Sequence, residues 1–254
     1  MCTLLVGVER PRAGRLLLGA NRDEVVSRPS LPPHVVVRDP RIVAGRDRQA
    51  GGTWLGLSEG RLVAAILNRP TSGDRPADAP GPPTPWEAGA TPDRSRGLLC
   101  LDALRMFSAR EALAWLADEV LTCRYAPFTL FLADEHGAHA AYWTGELRSQ
   151  ELRPGWHVLG HGDADDPLDP RASMALTRLL QSPPRRAEDL APILQSHDGG
   201  RAICLHAEGH GTVSSSLLEI VWASPRETRY LHSSDKPCLT PYQDFSGLVT
   251  GERA

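Results

Sequence analysis

Lysine is all but missing from this chain: Lys236 is the only one, and arginine supplies the rest of the 28 basic residues. Against 31 acidic residues they leave a net charge of −3, so the chain lacks the bulk positive field expected of a partner for nucleic acid or an anionic membrane. No apolar run approaches the roughly 18 residues of a membrane span, and stable membrane insertion is not expected. A signal-peptide pattern is also lacking, because Glu9, Arg10, Arg12 and Arg15 follow only a short apolar stretch. The expected compartment is the cytoplasm. The five cysteines (Cys2, Cys100, Cys123, Cys204 and Cys238) are odd in number, far apart and without a CxxC. Neither a disulfide framework nor a zinc site is expected from them. No GxGxxG follows a strand, which argues against a doubly wound nucleotide fold, and there is no internal repeat.

What is present is an ordinary globular composition, 41% hydrophobic and 23% charged over 254 residues, ample for a core. The first third reads as short strands: Thr3–Val8, a turn at 11–14, then 15–20, 42–45, 52–57 and 61–67, the last two joined at 58–60. From 69 to about 93 the chain is dominated by Pro, Gly, Ala and Asp, which predicts a long surface loop or lid. Serine-started helices are expected over 95–107 and 108–120. A meander follows at 128–133, 138–143, 146–152 and 156–159. Further helices are expected at 171–181 and 187–195, and closing strands at 202–206, 212–223 and 227–232. Strands, helices, strands, helices, strands: the order predicts an α+β fold with antiparallel sheet flanked by helices, in one domain spanning 1–254.

The first candidate for chemistry is Cys2. Removal of the initiator methionine would put a thiol and a free α-amino group on one residue. The amine, with a pKa of about 7.7–8.0, sits close to a free thiol at about 8.5 and can act as its base. The alternative is a small buried hydrophobe at the start of a strand. Three further groups bear on the choice. Asn21-Arg22-Asp23-Glu24 packs an amide, a guanidinium and two carboxylates between apolar neighbours: either a solvated turn, or a cluster in which Asp23 orients the amine and Arg22 clamps a substrate carboxylate. Gly51-Gly52-Thr53-Trp54-Leu55-Gly56 suggests close backbone approach, with Trp54 as a pocket wall. Asn68 ends an apolar strand, as a turn former or as an oxyanion donor.

Met1-Cys2-Thr3-Leu4, Gly19-Ala20-Asn21-Arg22-Asp23-Glu24, Gly51–Gly56 and Leu67-Asn68, in that order, resemble the NRDE family, also called the transport and Golgi organization family. Ser95-Arg96-Gly97, Gly211-Thr212 and Ser214-Ser215 also fit its pattern. That family in turn resembles the N-terminal nucleophile hydrolases of the choloylglycine hydrolase and penicillin V acylase group. The resemblance implies a four-layer αββα sandwich, with Cys2 as nucleophile, Asp23 steadying the amine and Asn68 donating to the oxyanion. Asn21, Arg22 and Trp54 would contact substrate, and no cofactor or metal is implied.

The chain departs from the hydrolase pattern twice. Ala20 stands where the bile-salt enzymes carry arginine, and Leu159-Gly160-His161 stands where a second asparagine is expected, making His161 a candidate replacement donor. The i,i+4 histidine pairs 157/161 and 206/210 fall in strand or loop context and are not read as metal ligands. Asp163, Asp165 and Asp166 lack the downstream glutamate of a calcium loop. Two readings follow. The first is an amidohydrolase acting on a small amide or acyl compound. The second is a non-catalytic carrier of a lipid, an acyl thioester or haem on the same fold.

Overall fold

The computed structural model describes residues 2–9, 14–59, 61–70 and 91–251. Residues 11–13 of the expected turn at 11–14, Gly60 of that at 58–60 and residues 71–90 of the loop at 69–93 lie outside the described residues.

Thirteen strands appear among these residues, and they divide between two antiparallel sheets. The first contains β1 (Thr3–Val8), β2 (Arg15–Val25), β10 (Gly155–Leu159), β11 (His210–Val221), β12 (Arg229–Ser233) and β13 (Gln243–Asp244), in the order β10-β1-β2-β11-β12-β13. The second is an up-and-down sheet of β3 (Ser30–Arg38), β4 (Arg41–Asp47), β5 (Leu55–Ser58), β6 (Leu62–Asn68), β7 (Phe128–Asp134), β8 (Gly137–Trp143) and β9 (Leu147–Leu152).

Central strands such as β1, β6 and β7 read as apolar runs because both of their faces are covered. Leu4, Val6, Leu16 and Leu18 meet Val43, Leu57, Val63 and Phe131 between the sheets. Their neighbours point outward. Leu62, Ala64, Leu130 and Leu132 pack under α1 (Arg96–Ala103) and α2 (Ala109–Thr122). Leu5, Leu17 and Val158 pack under α3 (Pro170–Gln181), a 3-10 turn at Ala187–Leu190 and α4 (Ala191–Leu194). The result is the expected α+β, four-layer αββα sandwich. The serines foreseen as helix starts are caps: Ser95 accepts from Gly97 N at 3.2 Å and Ser108 from Glu111 N at 3.1 Å. No helix among the described residues is long and apolar enough to cross a membrane.

Several details differ from the sequence reading. β2 does not stop at residue 20 but runs through the tetrad to Val25, because β11 pairs with it along its whole length. β3 was not anticipated, since Pro32 and Pro33 lie inside it. It survives as an edge strand, where missing N–H groups cost least, with a register shift between Leu31 and His34. The meander ends at β9. Pro154 and Gly155, the latter at φ 140°, turn the chain out of the second sheet, and β10 pairs with β1 in the first. The expected strand at 202–206 is a loop, as Ile203 and Cys204 donate back to Ser196 O at 3.1 and 3.0 Å instead of to a ladder.

Candidate functional site

The site begins where β1 and β2 pair. Thr3 lies opposite Asn21, so Cys2, one residue earlier, falls beside the tetrad, with its Sγ 3.9 Å from the carbonyl oxygen of Asp23. Strand alternation then sends the tetrad to two faces. Arg22 enters the space between the sheets. Its Nη2 donates to Asp47 Oδ2 on β4 at 3.0 Å, and its guanidinium lies 4.3 Å from the ring centroid of Trp54. Asp23 is buried and accepts from Thr212 Oγ1 on β11 at 2.6 Å. An irregularity in β11 between Thr212 and Ser214 sets Thr212 directly across from Asp23.

Cys2, Arg22, Asp23, Trp54 and Asn68 line one cavity of about 180 Å³. Arg28, Arg94 and Arg96 stand on its walls with Glu24 and Asp47, and Thr53 and Ile66 complete its floor. Five of the seven residues expected at the site are thus brought together. Asn21 is not. It turns away from the cavity and its Nδ2 donates to Leu194 O at 2.8 Å and Ile203 O at 3.2 Å, bracing the helical layer. His161 does not line the cavity either. Its Nε2 accepts from Arg171 Nη2 at 3.2 Å, and burial together with the Arg171 charge pushes its pKa down to about 4. It is therefore a neutral ring whose Nε2 carries no proton to donate, unlike the donor foreseen for an oxyanion.

Burial sets the electrostatics. It pushes the Cys2 thiol up, and the neighbouring Asp23 charge adds to the effect. Burial also raises Asp23, opposed by the Thr212 hydroxyl and the Arg171 charge. The Arg22 guanidinium is pushed down by burial, against the pull of Asp47. Asp47 feels the same upward push, but N–H donation from Ala50 and the ion pair with Arg28 outweigh it and hold its carboxyl below the usual range. Asp47 accepts from Arg28 Nε at 2.7 Å and from the amides of Gln49 and Ala50, both at 2.9 Å. Two donors remain uncommitted. Arg22 Nη1 is buried with no hydrogen-bond partner among the described residues. The Asn68 side chain has no hydrogen bond among them.

Two of the sequence motifs turn out to be one structure. Thr53 N donates to Gly97 O at 2.9 Å, and a Cβ built on Gly52 would lie 2.1 Å from the carbonyl carbon of Gly97. Only glycine at 52 lets the Gly51–Gly56 segment touch the start of α1. That contact holds Trp54 over Arg22 and brings Arg94 and Arg96 to the cavity wall.

Sequence reasoning missed Asp47, Arg28, Arg94, Arg96 and Thr212 as site residues. Thr212 carried a signal, a hydroxyl in a buried strand, but its meaning depends on which strand pairs with β2. Away from the cavity, His197, Cys204, His206 and Cys238 bring four potential metal-ligand atoms within 4.8 Å of one another. Tertiary folding joins residues that sequence spacing kept apart.

The geometry can be set beside known proteins. Over 59 residues the chain is 44% identical to the Homo sapiens Transport and Golgi organization protein 2 homolog and 42% identical to the Mus musculus Transport and Golgi organization 2 homolog. Each match covers 22% of this chain and 21% of the relative, so the chain spans about a fifth of the length of the curated relatives it matches. Among solved structures, the Caenorhabditis elegans N-acylethanolamine-hydrolyzing acid amidase ortholog superposes with a TM-score of 0.56 at 13% identity, over 87% of this chain and 93% of that one. At that identity the likeness is one of fold, and it agrees with the N-terminal nucleophile hydrolase sandwich. The Transport and Golgi organisation 2 family model matches residues 1–190, the span holding Cys2, the tetrad, the Gly51–Gly56 segment, Asn68 and the Ser95 cap, and the chain belongs to that family.

Proposed function

We propose that the protein is a cysteine amidohydrolase of the N-terminal nucleophile type, acting on a small amide or acyl compound that carries an anionic group. The observation that supports this most is the convergence of Cys2, Asp23, Asn68 and the uncommitted Arg22 Nη1 on one cavity. Loss of Met1 would give Cys2 its own base. The thiol proton passes to the α-amine and the thiolate attacks the acyl carbon. Asn68 Nδ2 donates to the oxyanion as it forms. Collapse breaks the C–N bond, the α-ammonium returns its proton to the departing amine, and a thioester remains on Cys2. Water, deprotonated by the same amine, then releases the carboxylic acid and the free thiol. Asp23 stabilises the ammonium that exists between these steps.

The arginines speak for the anionic group. Arg22, Arg28, Arg94 and Arg96 surround the cavity, and a planar guanidinium suits bidentate recognition of a carboxylate or phosphate. The same charged walls, around only about 180 Å³, suit a haem or a long acyl chain poorly.

The test is hydrolysis of N-acyl amino acids by wild type and by Cys2→Ala, with intact mass recorded for both. The expected result is loss of at least about a thousandfold in kcat/KM for the variant and absence of Met1 from the active wild type. Undiminished turnover by Cys2→Ala, or an active protein that retains Met1, would overturn the mechanism.

A further inference from the structure

Outside the cavity, four side chains converge at the same end of the first sheet, where β11 begins and β12 ends. His197 follows α4, Cys204 and His206 lie on the loop leading to β11, and Cys238 lies in the irregular segment after β12. His197 Nε2 and His206 Nε2 are 3.2 Å apart, and the two sulfurs, Cys204 and Cys238, are 3.5 Å apart. His206 Nε2 lies 3.6 Å from Cys204 Sγ and 3.2 Å from Cys238 Sγ.

These separations match the edges of a coordination tetrahedron. A zinc ion held at about 2.3 Å by sulfur and about 2.0–2.1 Å by nitrogen sets its ligand atoms roughly 3.3–3.8 Å from one another. Four of the six edges lie near those lengths, and the other two lie within 4.8 Å.

Hydrogen bonding alone accounts poorly for the cluster. His206 Nε2 has three close polar neighbours, yet an imidazole nitrogen offers either one proton or one lone pair and can serve only one of them well. A cation at the centre uses that lone pair together with the second nitrogen and both sulfurs. The ligand chemistry is selective too, since two thiolates and two imidazoles in tetrahedral array suit zinc and exclude magnesium or calcium.

We propose that His197, Cys204, His206 and Cys238 form a structural zinc site of the Cys2His2 type. Four protein ligands close the coordination sphere, so the ion has no open position for substrate and acts as a staple. Binding displaces the two thiol protons and ties the loop after α4 to the segment after β12, two stretches with little regular structure. Cys204 is buried while both histidines are exposed, which leaves a side open for the ion to load. The stapled loop also backs the cavity: Ile203 O accepts from Asn21, and Leu205 N donates at 2.9 Å to the Thr212 hydroxyl that in turn holds Asp23. The inference stands apart from the hydrolase reading, and either can fail without the other.

The experiment uses the full chain, free of any polyhistidine tag, dialysed against zinc and then against metal-free buffer. Elemental analysis is expected to find one zinc per chain in wild type and in Cys2→Ala, and none in the double variant Cys204→Ser/Cys238→Ser. Cobalt loading should give the visible absorption of a tetrahedral thiolate site in wild type and not in that variant. Should the double variant fail to fold, His197→Ala removes an exposed ligand and is expected to bind zinc at least tenfold more weakly while keeping a native circular dichroism spectrum. Wild type holding less than a tenth of an equivalent of zinc would overturn the proposal. An intact mass two hydrogens lighter than the reduced chain would do so as well, since it would show a Cys204–Cys238 disulfide in place of the metal.

Discussion

Thr212 and Asp23 face each other across the β11–β2 pair, and the Thr212 hydroxyl donates to Asp23 Oδ1 at 2.6 Å while accepting the amide proton of Leu205. A hydroxyl has a single proton to give. Because it goes to Asp23, this contact favours the ionised carboxylate in a setting where burial favours the acid.

Thr212→Val should therefore cost about 1–3 kcal/mol and raise Asp23 further. Asp23 is a carboxyl whose folded pKa lies above its unfolded value. The stability tied to its protonated form is fully present below about pH 4 and is lost as pH rises through the folded pKa. The gap in Tm between wild type and Thr212→Val should widen as pH rises above about 4. A gap independent of pH would show that the hydroxyl does not tune Asp23.

The Cys2 thiol, raised by burial and by Asp23, should alkylate slowly at neutral pH in a chain that keeps Met1. Removing Met1 places a cationic amine on the same residue, and the pH midpoint of alkylation should then fall. Mass spectrometric timing of iodoacetamide addition between about pH 6 and 10 on the two forms checks this. Equal midpoints would remove the amine from the mechanism.

Asp47→Asn strips the ion-pair partner from Arg22 and leaves Arg28 with Glu24 alone, at 3.5 Å. We expect a loss of about 2–4 kcal/mol at neutral pH by urea unfolding, chiefly the penalty of leaving Arg22 buried without its counter-charge. Asp47 is held below its ordinary range in the fold, so its contribution is present above the unfolded value of about 3.9 and disappears as pH falls through the folded one. The difference between wild type and Asp47→Asn should accordingly shrink in acid.

Gly52→Ala pushes a methyl group to 2.1 Å from the carbonyl carbon of Gly97, and backbone on both sides leaves nothing flexible to yield. It should destabilise by about 1–3 kcal/mol or more and separate Trp54 from Arg22. Gly51→Ala, at φ 75° with open space around it, should cost only about 1 kcal/mol. Thermal melts and Trp fluorescence of the pair distinguish crowding from backbone strain.

The sandwich was legible because its central strands are buried on both faces and its first two helices begin at capping serines, both of which are local properties. Cys2, Arg22, Asp23, Trp54 and Asn68 were legible as a set through their motifs. What the chain could not show alone was direction. Asn21 and Asp23 share a strand face opposite to Arg22, and only the pairing with β11 reveals that Asn21 braces while Asp23 reaches the cavity. Asp47 and Arg28 were hidden because β3 was hidden, its two prolines reading as a break instead of an edge. Cys204 and Cys238 looked unrelated because their meeting depends on how the segment after β12 returns past the loop before β11.

Asn21 spends both protons of one amide on the two ends of a loop, Leu194 O and Ile203 O. The loop is thus fastened at its mouth by a residue that belongs to neither end. The closure is anchored on β2, and its entropy grows only slowly with added length. Apart from His197, that stretch can lengthen or change composition without disturbing the strand beneath it. Variation there should track how the outer rim of the protein is used, while Asn21 itself admits no substitute that lacks two amide protons.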